Sequence, residues 1–112
     1  MKLPLHRAED FNADFDLQYR WYLAHAGEEM AERFLAAVLA TLNTLAARPD
    51  LGRRRKFHHP ALREIRSFRV NRPFERILIF YRVTNETLEA WRLMHGARNL
   101  PRRLIEPPDA GN

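Results

Sequence analysis

Arginine dominates the residues of this chain that could do chemistry. Of its 19 Lys and Arg residues only Lys2 and Lys56 are lysines. The planar guanidinium fork binds carboxylates and phosphates through paired hydrogen bonds, so the chemistry on offer is anion recognition. The run Arg53-Arg54-Arg55-Lys56 concentrates it, and Arg63, Arg66, Arg69, Arg82 and Arg92 continue it. A basic run is either a solvated loop or a contact for phosphates or an acidic partner. Nucleophiles and metal ligands are scarce by comparison. The absence of cysteine removes thiolate catalysis, disulfides and every Cys-based zinc site. Ser67 is the only serine, and no Asp/His arrangement is readable around it. His58 and His59 are adjacent, a spacing that points side chains apart on a strand or a helix, and no H-E-x-x-H spacing follows. No G-x-G-x-x-G, Walker A or G-x-S-x-G pattern occurs either. The expectation is no metal and no cofactor. The acids at 9–16 and 28–32 read as charges at helix starts, where the helix dipole favours them, rather than as catalytic pairs.

The chain has 112 residues, room for one domain. Its 46% apolar and 29% charged content is that of a globular protein. No apolar run approaches the ~18 residues that span a bilayer. Met1–Asp10 lacks the apolar centre of an export signal. These readings predict a cytoplasmic protein without membrane contact. Charge is divided along the chain. Residues 1–52 hold five Lys/Arg against eight Asp/Glu, whereas residues 53–103 hold fourteen against four. Such asymmetry points to an acidic partner or a nucleic acid.

The elements that must position these arginines follow from periodicity. Residues 3–8 allow a short strand, which Pro4 confines to an edge or a strand start. Phe11, Phe15, Tyr19, Tyr22 and Ala26 recur at helical steps, and Gly27 ends that helix. Ala31, Phe34, Leu35, Val38, Leu42 and Leu45 form a second stripe, stopped at Arg48-Pro49. The short link at Gly27 makes an antiparallel hairpin. The adjacent pair Trp21-Tyr22 forces one ring out of the first stripe. Three strands follow, an imperfect one over Leu62–Val70, a central one over Arg76–Val83 and a third over Leu88–His95, with a turn at Thr84–Thr87. Short connections predict an antiparallel meander. The expected fold is α+β, in the order βααβββ, with the helical hairpin covering one face of a small antiparallel sheet. The other face is expected to be open and basic. Residues 1–104 form the domain and 105–112 a flexible tail.

Taken in order, these segments are similar to the toxins of type II toxin–antitoxin systems in the RelE/ParE superfamily, closer to the ParE branch. The resemblance runs from about Ala8 to Arg103. It is carried by Ala13–Tyr22, by A-E-R-F-L-A-A-V at Ala31–Val38 and by L-A-A-R-P-D-L-G-R at Leu45–Arg53. The segments L-R-E-I-R-S-F and I-L-I-F-Y-R-V follow, and L-M-H-G-A-R-N-L at Leu93–Leu100 resembles the family's ending. The resemblance implies a growth-inhibiting toxin neutralised by an adjacently encoded antitoxin with an acidic C-terminal segment. Operator DNA would be reached only through that antitoxin. A ParE-like member implies a non-enzymatic inhibitor that poisons DNA gyrase. A RelE-like member implies a ribosome-dependent mRNA interferase, with Arg63, Arg66, His95 and Arg98 as the candidates for phosphate contact and proton transfer. After Arg98 the chain has no tyrosine or histidine, which departs from the ribonuclease pattern. Candidate contacts for antitoxin or target are Arg53, Arg54, Arg55, Lys56, Arg63, Arg66, Arg82, Arg98, Arg102 and Arg103.

Overall fold

A computed structural model describes residues 2–96 and 100–108. The chain opens with β1 (Leu5–Arg7) and the helices α1 (Glu9–His25) and α2 (Glu28–Ala47). A 3-10 turn at Pro49–Leu51 leads to β2 (Arg53–Arg54), and a second at Pro60–Leu62 precedes β3 (Arg66–Arg69). β4 (Ile77–Thr84), β5 (Thr87–His95) and a short α3 (Leu100–Ile105) complete the order. The sheet runs β1-β5-β4-β3-β2.

The helical hairpin follows its sequence pattern closely. The Ala26 and Gly27 N–H groups both donate to the Tyr22 carbonyl, at 2.8 and 2.9 Å. Gly27 then turns the chain at φ +94°, a conformation in which a Cβ is strained. Tyr22 joins the core, whereas Trp21 is 51% exposed. Rings of Phe15, Tyr22, Phe34 and Phe74 contact one another with centroids 5.0–5.4 Å apart, which locks the hairpin to the loop before β4. Ile77, Ile79 and Tyr81 of β4 and Leu88, Ala90 and Leu93 of β5 meet this layer from the sheet. α2 is also long and apolar enough to cross a membrane by length and composition, a length the residue-by-residue reading did not find. In the fold its stripe of Phe34, Val38, Leu42 and Leu45 is spent on the core.

Three features correct the sequence reading. First, the sheet is mixed rather than wholly antiparallel, because β1 pairs with β5 in parallel. The unexpected strand β2, antiparallel to β3, adds one reversal of direction before the meander. Second, the strand expected over Leu62–Val70 shrinks to Arg66–Arg69. Pro60–Leu62 forms a 3-10 turn capped by His59 Nδ1, which accepts from the Ala61 N–H, and Glu64 has φ 61°, outside the extended region. Leu62 and Ile65 are thereby both buried. Third, the far face of the sheet is not an open basic surface. Leu62, Ile65, Phe80, Met94 and Leu104 form a second core there, flanked by Phe57, Leu78, Trp91 and Leu100. α3 supplies Leu104, and six residues are too few for a helix to be legible from propensity alone. Glu106, just beyond the expected domain boundary, is tied in by its carbonyl, while 109–112 lie outside the described residues.

The meander itself matches expectation. Asn85 and Glu86 have φ 51° and 58°, the two positive values of a type I′ hairpin turn between Thr84 and Thr87. A register shift between Phe80 and Tyr81 sets Tyr81 opposite Ala90 and Phe80 opposite Arg92, leaving Trp91 as the extra residue of a bulge.

Candidate interaction surface

Strand register places Arg53, Ser67, Phe80 and Arg92 in one row across β2, β3, β4 and β5. The two ends of that row are built differently. At one end Arg92 is 3% exposed and every nitrogen of its guanidinium is used. Its Nε and Nη2 donate to Asp14 Oδ2 and Oδ1 at 2.7 and 3.0 Å. Its Nη1 donates to the carbonyls of Arg103, Leu104 and Glu106 at 3.2, 3.0 and 2.6 Å. Asp14 Oδ2 also accepts from the Leu93 N–H at 3.0 Å. β1 pairs with β5 only as far as Ala90, so Asp14 takes over an edge donor that no strand covers. One buried ion pair thus joins α1, β5 and the end of α3. Arg92, expected on an open sheet face, is a structural residue.

Arg66 and Arg82 are structural as well. Arg66 Nη1 donates to the carbonyls of Gly52 and Asp50 at 2.8 and 3.2 Å, holding the turn before β2. Tyr81 fixes the same turn: its hydroxyl donates to the Pro49 carbonyl at 2.7 Å and accepts from the Gly52 N–H at 2.8 Å. A Cβ on Gly52 would lie 2.3 Å from that hydroxyl, so this approach requires glycine. Burial raises the Tyr81 pKa, opposed by the Gly52 N–H and by Arg66. Arg82 pairs with Glu89 at 3.1 Å, donates to the Ala61 carbonyl at 3.2 Å and covers the Trp91 ring at 5.3 Å. Arg63 shares a recess with Arg82, but Glu64 and Glu89 line it too and balance its charge.

The other end of the row is uncompensated. Arg53, Arg55, Ser67, Arg69, Phe68 and Leu78 line a groove of about 370 Å³. Among the described residues no carboxylate lines it, and none of the three arginines forms an ion pair. Arg55 is half-buried, with its guanidinium 5.9 Å from the Phe57 ring centroid and 6.0 Å from that of Phe80. Its Nε is buried without a hydrogen-bond partner. Burial, and then the charge of Arg53, hold the Arg55 pKa below the ordinary guanidinium value. Arg54 lies on the opposite face of β2 and reaches Glu64 at 3.8 Å, both side chains being well exposed. Lys56 is exposed.

The remaining candidates scatter. Arg102 pairs with Glu106 at 3.4 Å, and Arg103 is half-buried on α3. Arg98 lies outside the described residues. Of the residues that a ribonuclease reading would use, Arg66 and His95 are held apart by the strand register. Arg66 stands opposite Tyr81, and His95 stands opposite Ile77 on the other side of β4. Four residues along a strand separate those registers, roughly 13 Å before the width of the sheet is added. Among the described residues no group of three or more His, Asp or Glu side chains could hold a metal.

Sequence reasoning missed two participants. Asp14 was grouped with the acids at the helix start, although it lies beyond the first turn of α1, where the dipole argument fades. Arg69 was counted among the basic residues of the sheet but left out of the candidate contacts, because nothing local sets it apart from its neighbours along β3.

A family model described as the ParE toxin of the type II toxin–antitoxin system parDE matches residues 5–100. No curated protein sequence matches the chain. A chain in a structure titled "Chromosomal ParDE TA system from P. aeruginosa" is similar in fold, with a TM-score of 0.69 and 19% sequence identity. The alignment covers 86% of this chain and 98% of that one.

Proposed function

Since the chain belongs to the ParE toxin family of type II toxin–antitoxin systems, we propose that it is a cytoplasmic growth inhibitor that poisons DNA gyrase by binding and is silenced by a cognate antitoxin. The family match over residues 5–100 carries this reading. Action by binding is favoured by the register, which separates Arg66 from His95 and commits Arg66 to backbone carbonyls. Neutralisation fits the charge. Residues 53–103 hold fourteen Lys/Arg against four acids, and an acidic segment that folds as it binds gains from that complementarity. The antitoxin is expected in the adjacent reading frame and would make the contact with operator DNA.

The test is to induce the chain alone in bacterial cells and follow DNA and protein synthesis by pulse labelling. Gyrase poisoning predicts that DNA synthesis stops first, with filamentation and continuing translation, and that purified gyrase accumulates cleaved DNA when the protein is added. Arrest of translation first would instead make the chain an mRNA interferase and put Arg63, Arg66, His95 and Arg98 under test as its working residues. Coexpression of the neighbouring acidic protein should restore growth in either case.

A further inference from the structure

The groove at the β2 end of the sheet has the makings of a ligand site whose occupant the growth-inhibitor reading leaves unnamed. Arg53 and Arg55 alternate on one face of the β2 segment, and Arg69 stands diagonally across from Arg53 on β3, beside Ser67. Like charges held together without a counter-ion are unfavourable, and the fold sustains the arrangement by packing. The Arg55 guanidinium lies within 6.0 Å of the ring centroids of both Phe57 and Phe80, while its Nε stays unpartnered. The groove is also apolar in part, through Leu78 and Phe68, and Phe57, which neighbours Arg55 at 5.9 Å and packs against the second core, is only half-buried.

We propose that this groove binds a single strand of nucleic acid, with Arg53, Arg55 and Arg69 on consecutive phosphates and Phe57 offering its ring to a base. A charged groove edged by an aromatic side chain is the combination that single-strand binding requires, because stacking serves any base and arginine serves the backbone. A duplex fits less well, since its bases are turned inward from such a ring. A peptide strand added to the sheet edge is disfavoured by length. β2 has two residues, and with the Arg55 N–H already donated to the Ile65 carbonyl, Arg54 alone presents its backbone outward.

The probe is a fluorescein-labelled twelve-nucleotide oligothymidylate, its binding to the full chain read by anisotropy over a series of salt concentrations. Each phosphate contact on a single strand contributes about 0.7 to the slope of log affinity against log salt. The triple variant Arg53→Gln, Arg55→Gln, Arg69→Gln should therefore lose about 2 from that slope. The charge-keeping variant Arg55→Lys should keep the slope, and Phe57→Leu should weaken binding roughly tenfold at constant slope. Arg20→Gln with Arg33→Gln, both on exposed helix faces, should change neither. Melting curves of each variant establish that it is folded.

Equal losses from the helix variant would mean diffuse charge and would overturn the proposal. So would binding of the matching duplex as tight as the single strand, or binding of a glutamate-rich peptide with no binding of the oligonucleotide. The outcome is separable from the gyrase reading: growth arrest by the triple variant would leave that reading intact while the groove failed or passed on its own data.

Discussion

Arg92 and Arg53 occupy opposite ends of one cross-strand row, and their surroundings differ in kind. Around Arg92 the chain closes on itself: a carboxylate, three carbonyls and a second apolar core surround the charge. Around Arg53 the sheet ends in a two-residue strand, and neither Arg53 nor its neighbours Arg55 and Arg69 has an acid partner among the described residues. The difference teaches how to divide the arginines of a basic chain. Those whose guanidinium hydrogen-bonds acceptors within the fold are part of the architecture. Those held close together without a counter-ion are what a partner can use. Nine arginines and Lys56 were proposed as contacts, and of these Arg66 and Arg82 fall into the first class.

The largest effect is expected around Arg92. Asp14→Ala leaves the Arg92 charge buried without its partner and should cost about 3–5 kcal/mol of stability in urea denaturation. The paired replacement Asp14→Leu with Arg92→Met removes both charges and should recover part of that loss, the remainder being the Leu93 N–H and the C-terminal carbonyls that lose their partners. If the single variant unfolds at the wild-type midpoint, Arg92 belongs with the surface arginines after all. Leu104→Ala comes next, at roughly 2–5 kcal/mol, because it opens a cavity in the second core where α3 is fastened. An unchanged midpoint would show that α3 contributes nothing to closing that face.

Tyr81→Phe should be milder, about 1–3 kcal/mol, since the Gly52 N–H and Pro49 carbonyl lose their common partner. It carries a pH signature as well. Burial holds the Tyr81 pKa above its ordinary 10.0, so the folded state keeps the phenol neutral where the unfolded chain would ionise. That contribution is complete below pH 10.0 and is lost as pH rises through the higher folded value. Wild type should therefore weaken on the alkaline side more steeply than Tyr81→Phe. A residual slope should persist in the variant, because burial also raises Tyr22 and a hydrogen bond to Glu32 raises Tyr19. The smallest effect belongs to the open end. Arg53→Gln and Arg69→Gln should each shift stability by no more than about 0.5 kcal/mol, as exposed residues without structural partners do. A larger loss in either would mean that the groove is part of the architecture.

Much of the fold was legible because it is periodic. The stripes of α1 and α2, the break at Gly27, the strands β4 and β5 and the turn between them each announce themselves within a few residues, since side-chain period and turn chemistry are local properties. The division of charge was legible for the same reason, and so was the ordered set of segments that resembles the ParE toxins. The two-residue β2, the six-residue α3 and the positive φ at Glu64 were not, because each depends on contacts with distant parts of the chain. The fate of each arginine was hidden too. Nothing local distinguishes Arg92 from Arg53. Only the register of four strands, the reach of Asp14 from α1 and the return of the C-terminal carbonyls decide that one is buried and satisfied while the other is left facing an unneutralised groove. Sequence determined that this protein would be rich in guanidinium groups on a helix-backed sheet. Tertiary structure decided which of them are still available, because a hydrogen-bond partner is a matter of position in space rather than of neighbours along the chain.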